Sequence, residues 1–162
     1  MKIFLFTFLV LASSLMAKDY SNKTLVYPYY PRSGGESYHN ISNEDICKVG
    51  YTKKVRKVSL ATRRLVFKRY GITQGHFKEY EVDHILSLAL GGNNSINNLF
   101  PQPYENYMSF NGKALRMGAR EKDVVETNLY RRICHGEISI KEAQEIISTN
   151  WVGYYLKLKG KI

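Results

Sequence analysis

The stretch that decides the fold is YEVDHILSLALGGNNSINNLFPQ, from Tyr80 to Gln102. Its first part has alternating and β-branched residues, which predict a strand over 77–86. An aspartate and a histidine, Asp83 and His84, stand side by side near the end of that strand, and a glycine- and asparagine-rich loop follows. Consecutive side chains of a regular strand point to opposite faces, so both residues can serve one site only if the strand ends or bulges there.

These two residue types together suit phosphodiester hydrolysis. An imidazole such as that of His84 is the side chain best suited to deprotonate water near neutral pH. A carboxylate such as that of Asp83 can hold a hard divalent cation through oxygen. Hydrolysis of a phosphodiester needs a base for the nucleophile and a Lewis acid for the developing charge, and this pair supplies both.

The sequence around this stretch predicts an α+β fold. Ser59 is a predicted N-cap for a short helix. Ser139 and Glu142 form a capping-box pattern at the start of the last clear helix. The predicted elements are a strand or hairpin over 46–58, a helix over 60–70, a short strand near 96–100 and a helix over about 118–134.

Charge indicates a polyanionic partner. The chain has 162 residues, 24 Lys and Arg against 14 Asp and Glu, and a net charge of +10. The length fits one domain, and the surplus of positive charge favours nucleic acid or an acidic membrane surface. Eight cations without an intervening acid lie in the basic segment, residues 53–69: Lys53, Lys54, Arg56, Lys57, Arg63, Arg64, Lys68 and Arg69. Such a segment suits binding to a phosphate backbone without sequence readout.

The sequence also predicts the bounds of the domain, from a targeting signal at the N-terminus and from the composition of the segment after it. Residues 1–17 have one lysine, an apolar run and terminal small residues, which predict a secretory signal peptide. Residues 18–45 contain Pro, Gly and Tyr without periodicity and are predicted as an extended arm, which leaves 46–162 as the domain. In an exported chain Cys47 and Cys134 are expected to pair, with a stabilisation of about 4–5 kcal/mol from closing a long loop.

The stretch Tyr80–Gln102 resembles the HNH endonucleases, also called ββα-metal nucleases. That family places Asp-His before a glycine pair and then Asn-Leu before a metal-binding helix. The resemblance extends over roughly 46–152 and is most specific in the core. Its outer pieces match an exported branch of the family: Cys47, Gly50-Tyr51-Thr52, Val55-Arg56, Lys122-Asp123, Glu126, Cys134, Gly136, Ala143-Gln144, Ile147 and Trp151. Ser87 stands where the family often has proline.

The resemblance implies a role for each matching residue. His84 would be the general base, Asp83 a metal ligand, and Asn98 the asparagine that fixes the loop and helps to hold the histidine. The remaining ligand should come from the helix, and the stretch between Pro103 and Gly118 looks like an insertion before it. Glu126 is preferred for that ligand, with Asp123, Asn106 and Asn111 as alternatives. The expected nucleic-acid contacts are Arg56, Arg63, Arg64, Arg120 and Lys122.

The implied function is an exported, metal-dependent endonuclease that cleaves DNA, or RNA, with little sequence specificity. One divalent ion is expected, Mg²⁺ in the first place, with Mn²⁺, Ca²⁺ or Zn²⁺ as alternatives. The expected protein is a monomer in the periplasm or the medium, without stable membrane association after signal cleavage, and an inhibitor or immunity protein is a further conceivable partner. The alternative is a nucleic-acid-binding or surface-interaction protein that keeps the fold without turnover.

Overall fold

The computed structural model describes residues 35–162. The predicted signal peptide and residues 18–34 of the predicted arm lie outside the described residues. The described chain is a mixture of helices and two small antiparallel sheets, as the predicted α+β class requires. The helices are α1 (Asn43–Ile46), α2 (Tyr51–Val55), α3 (Leu60–Arg69), α4 (Ala119–Cys134), α5 (Ile140–Thr149) and α6 (Trp151–Leu158).

Serine hydroxyls begin three of these helices. Ser42, Ser59 and Ser139 each accept a hydrogen bond from the backbone N–H three residues further on. Each bond satisfies a donor that has no partner inside the helix. The predicted starts of α3 and α5, including the capping box of Ser139 and Glu142, are therefore confirmed. The predicted helix over 118–134 is also confirmed as α4.

The segment 46–58 was expected to be a strand or hairpin, and that prediction is wrong. It contains the end of α1, a turn and the five-residue helix α2, followed by extended residues 56–59. Gly50, in the left-handed region at φ 78°, turns the chain into α2. A loose apolar alternation over so short a window does not distinguish a strand from a short helix, and no strand within residues 35–162 pairs with this segment.

The first sheet carries the Asp-His pair. Strand β1 (Tyr80–His84) pairs antiparallel with β2 (Leu99–Pro103), and His84 lies opposite Leu99. The strand predicted near 96–100 is a 3₁₀ turn, Ile96–Asn98, before β2 begins. The backbone N–H of Asn98 is bound within that turn by the carbonyl oxygen of Ser95, so of the residues 96–100 only Leu99 and Phe100 lie in the sheet.

A second hairpin lies in the segment expected to be an insertion. Strands β3 (Tyr107–Phe110) and β4 (Lys113–Arg116) pair antiparallel between β2 and α4. Asn111 and Gly112 turn the chain at φ 49° and 73°, the backbone conformation that two-residue hairpin turns require. The order along the chain is thus two paired strands, a second pair of strands and then a helix.

Two apolar clusters hold these elements together. In one, α3 packs through Val66 and Phe67 on Tyr80 and Val82 of β1. In the other, the inner faces of α4, α5 and α6 meet around Leu129, which is fully buried. Residues 35–42, predicted as part of the arm, lie against the loop after β1, where Ser37 forms a bridge with Gly92. No helix within residues 35–162 is long and apolar enough to cross a membrane.

The predicted disulfide is present. Cys47 follows α1 and Cys134 ends α4, and their Cα atoms lie 5.7 Å apart. The bond closes a loop over a sequence separation of 87 residues. It therefore joins the beginning of the folded domain to the end of its longest helix, across the loop that contains both sheets.

Replacing both cysteines, as Cys47→Ala with Cys134→Ala, should lower the free energy of unfolding by about 4–5 kcal/mol, because the unfolded chain loses a long-range constraint. Urea unfolding of the oxidised protein and of the double variant measures this difference. An unchanged midpoint would show that the disulfide contributes nothing to stability.

Candidate active site

The loop between β1 and β2 is fixed by the side chain of Asn98, which is fully buried. Its Oδ1 accepts hydrogen bonds from the backbone N–H of Leu86 at 2.8 Å and of Glu36 at 3.2 Å. Its Nδ2 donates to the carbonyl oxygens of Leu86 at 3.0 Å and Asn93 at 2.8 Å. One amide thus closes both ends of the loop on each other, whereas the side chain that contacts the imidazole of His84 is that of Asn94.

Backbone geometry and steric space explain why this loop contains two successive glycines. Gly91 adopts φ 83°, in the left-handed region that favours glycine. A Cβ on Gly92 would lie 1.8 Å from the carbonyl oxygen of Leu86. Any larger residue at Gly92 would push the loop away from the end of β1, so the pair is needed for the close return of the chain.

His84 is buried at the end of β1 and contacts a second loop asparagine. Its Nε2 lies 3.3 Å from Oδ1 of Asn94, and the same oxygen accepts a hydrogen bond from the backbone N–H of Lys57 at 3.1 Å. Nδ2 of Asn94 donates to the carbonyl oxygen of Val55 at 2.8 Å and to the hydroxyl of Tyr38 at 2.8 Å. Since Oδ1 can only accept, Nε2 carries the hydrogen and the lone pair of the neutral ring is on Nδ1.

Asp83 points to the other face of β1, toward α4. Its Oδ1 accepts a hydrogen bond from the backbone N–H of His84 at 2.7 Å, and its Oδ2 lies 2.7 Å from Nζ of Lys122. The same Nζ lies 2.5 Å from Oε1 of Glu126 and donates to the carbonyl oxygen of His84 at 2.9 Å. Oε2 of Glu126 accepts a hydrogen bond from the hydroxyl of Ser87 at 2.7 Å. The fold therefore brings together the two carboxylates that the sequence predicted as metal ligands.

The surroundings set the protonation of these groups. Burial lowers the pKa of His84 to about 4, although the charge of Asp83 opposes the shift, so the ring is a neutral base at pH 7. Burial by itself would lower the pKa of Lys122, but the charges of Asp83 and Glu126 outweigh it and raise the pKa above the ordinary value. Burial raises the pKa of Glu81 to about 7, and the charges of Asp83 and Asp123 act in the same direction.

The donor set does not fit a divalent ion as it is arranged. Both oxygens of Asp83 and both oxygens of Glu126 already accept hydrogen bonds from donors of the chain itself. Oxygen ligands that bridge to one ion would have to lose Lys122 first. Within residues 35–162 no group of three or more His, Cys, Asp or Glu side chains is placed to hold a metal ion.

The other candidates for the helix ligand lie in different surroundings. Asp123 is exposed on α4, and Asn111 is exposed in the turn between β3 and β4. Asn106 is fully buried, and neither polar atom of its side chain hydrogen-bonds to a residue of the described range 35–162. Of the four candidates, Glu126 is the one that shares a binding partner, Lys122, with Asp83.

Lys122 itself was expected to contact nucleic acid, and the structure corrects this expectation. The side chain is only 2% exposed, because α4 packs it against the sheet and the two carboxylates. The other expected contacts, Arg56, Arg63, Arg64 and Arg120, are exposed, as are all eight cations of the basic segment. Asn94 hydrogen-bonds both to His84 and to the backbone of Val55 and Lys57, the residues on either side of Arg56, so the start of this segment lies one side chain away from the histidine.

Sequence reasoning missed two residues of the site. Asn94 links His84 to the basic segment, and Ser87 donates to Glu126. Asn94 follows the glycine pair, where asparagine is common in turns and gives no distinct signal. Ser87 stands where the HNH family, which this stretch resembles, often has proline. Unlike proline, serine has a hydroxyl, and this hydroxyl donates the hydrogen bond to Glu126.

Comparisons of the chain with models of protein families, with curated proteins and with solved structures gave no match. The interpretation of the site therefore depends on its geometry and on the sequence pattern.

Asn98→Ala should lower the free energy of unfolding by about 3 kcal/mol, because it leaves buried backbone groups of the loop without partners. Chemical denaturation of the variant tests this value. Asn97→Ala is the matched control, since Asn97 is exposed and contacts only side chains, those of Arg69 and Glu36. Equal losses from the two substitutions would contradict a special role of Asn98.

Proposed function

We propose that the chain is an exported endonuclease that hydrolyses phosphodiester bonds of DNA, or RNA, with little sequence specificity. The observation that carries the proposal is the position of Asn94. Its side chain contacts the imidazole of His84 on one side and the backbone of Val55 and Lys57 on the other. A neutral histidine and an exposed basic segment are thereby held one side chain apart, which puts a base for the nucleophile next to positive charge for the phosphate.

In the proposed reaction His84 takes a proton from water through Nδ1. The water oxygen forms a bond to phosphorus, the bond from phosphorus to the 3′ oxygen breaks, and the leaving oxygen takes a proton from solvent. The hydrogen bond from Nε2 to Asn94 keeps the ring in the tautomer that has its lone pair on Nδ1. Arg56 is exposed and lies between Val55 and Lys57, whose backbone groups bind Asn94, so it is suited to hold the phosphate near the base.

The basic segment is suited to bind the rest of the strand. Its side chains are exposed, and Lys53, Lys54, Lys57, Arg63, Arg64 and Lys68 form no ion pair with a carboxylate of residues 35–162. Contacts of this kind reach phosphates and not base edges, which accounts for low sequence specificity. The predicted site of action is the periplasm or the medium, where a disulfide such as Cys47–Cys134 persists.

A second candidate is a nucleic-acid-binding protein without catalysis. It is favoured by the burial of His84, which is only 1% exposed. In that case the Asp83–Lys122–Glu126 contacts would serve stability alone, and the basic segment would be the functional surface.

The exported, oxidised protein should nick supercoiled plasmid, and His84→Ala should reduce the rate by about 100-fold or more through loss of the base. His76→Ala is the control, because His76 is exposed and pairs with Glu79 on the surface. Reactions in Mg²⁺ and in EDTA, with plasmid and with an RNA substrate, are followed on gels. Folded protein that binds DNA but cleaves neither substrate in either buffer would refute the enzyme and leave the second candidate.

The affinity for DNA should fall with salt, and the double substitution Arg63→Gln with Arg64→Gln should reduce the slope of log K against log[salt] by about 2, for two lost phosphate contacts. Fluorescence anisotropy with a labelled duplex measures the slope. The control replaces Arg131 and Lys141, exposed basic residues of α4 and α5 outside the basic segment. The interface would be misplaced if both double variants changed the slope equally.

A further inference from the structure

The ammonium of Lys122 has the contacts of a bound cation. Its three N–H donors match three acceptors: Oδ2 of Asp83 at 2.7 Å, Oε1 of Glu126 at 2.5 Å and the carbonyl oxygen of His84 at 2.9 Å. The ring of Phe100 lies 5.9 Å from Nζ and covers a further side. The side chain is 2% exposed, so these groups supply the contacts that water would otherwise make with the ammonium.

The same acceptors are the groups that a divalent ion would use. Two carboxylates from different elements and one backbone carbonyl are hard oxygen ligands. Asp83 lies on β1 and Glu126 on α4, and both are brought to one point by Lys122. Leaving two carboxylates this close without a cation would be costly, since each is largely removed from water, at 14% and 16% exposure.

The second oxygen of each carboxylate also accepts a hydrogen bond. Oδ1 of Asp83 is bound by the backbone of His84, and Oε2 of Glu126 by the hydroxyl of Ser87. With Ser87, every one of the four carboxylate oxygens accepts a hydrogen bond from the chain itself. The fold assembles this set of contacts from separate elements: Asp83 lies on β1, Ser87 in the loop after it, and Lys122 and Glu126 on successive turns of α4.

We propose that Lys122 is the resident cation of this site, held between Asp83 and Glu126 in place of a divalent metal ion, so that hydrolysis needs no metal there. The inference depends on the proposed function for its part about hydrolysis. Lys122 acts as a positioning residue: it fixes the end of β1, and with it His84, against α4. Removing the ammonium while keeping both carboxylates should convert the site into one that binds a divalent ion.

The first test measures binding of Mn²⁺ alone, by electron paramagnetic resonance, to the full disulfide-bonded chain. Wild type should have no bound Mn²⁺ that depends on Asp83 or Glu126, and its signal should be unchanged in Glu126→Gln. Lys122→Met should gain one bound Mn²⁺, and the additional change Glu126→Gln should remove it. Arg120→Met is the control, because it removes an exposed cation two residues earlier on the same helix and should gain no such Mn²⁺.

The second test measures plasmid nicking. Wild type should cleave at about the same rate in Mg²⁺ and in EDTA. Lys122→Met should lose cleavage in EDTA and regain it with Mn²⁺, which is a reversal that a merely structural role would not produce. If Lys122→Met does not fold by circular dichroism without metal, Mn²⁺ should restore its fold, and the wild-type comparison with Glu126→Gln remains decisive.

The outcomes separate the two proposals. Wild type that cleaves only with Mg²⁺, or that binds Mn²⁺ in a manner lost in Glu126→Gln, overturns the assignment of Lys122 and leaves the endonuclease intact. Absence of cleavage under every condition overturns the endonuclease, and the Mn²⁺ measurement then still decides which cation the carboxylates hold. A Lys122→Met variant that is folded and binds no Mn²⁺ also overturns the assignment.

Discussion

The interaction on which the site depends is the ion pairing of Lys122 with Asp83 and Glu126. It joins β1 to α4 through groups that are largely removed from water. A buried charge without a partner is strongly destabilising, so each of the three residues requires the others. Because Asp83 is bound through its other oxygen to the backbone of His84, the position of α4 also determines how the strand ends. The backbone of His84 takes part in the same set of contacts, because its carbonyl oxygen accepts a hydrogen bond from Lys122.

The loop after β1 is the second structural feature that positions the site, and two of its asparagines have different roles in it. Asn98 closes the loop on itself, with hydrogen bonds to backbone groups on both sides. Asn94 connects the loop outward, from His84 to the extended residues that follow α2. Gly92 makes this possible because its missing Cβ lets the chain approach the carbonyl of Leu86. A short glycine- and asparagine-rich segment thus organises both the imidazole and the start of the basic segment.

Local signals accounted for the elements that local interactions form. The serine caps of α3 and α5 act over three residues, and both helices begin where the sequence predicted. The prediction failed for 46–58, where apolar alternation without a pairing strand was mistaken for a strand and the chain forms α2. It also placed a short strand near 96–100, where Ile96–Asn98 form a 3₁₀ turn and only the last two residues belong to β2. In both places the competing structures differ little in local preference, and the position of neighbouring elements decides between them.

The sequence alone determined the mixed α+β class, the cysteine pair and the neighbouring Asp83 and His84, and it left Glu126, Asp123, Asn106 and Asn111 as candidates for the remaining ligand. Each of these depends on residue type, on short spacing, or on a resemblance that the residues themselves display. Only the tertiary structure decided that Lys122 lies between the two carboxylates and not on the surface, that Ser87 completes their set of donors, and that Asn94 joins His84 to the basic segment. Asp83 is 39 residues from Lys122 along the chain, and the direction of a lysine on a helix depends on what the helix packs against. Periodicity fixes which residues share a face, but only packing fixes which face is buried and what charge it meets there.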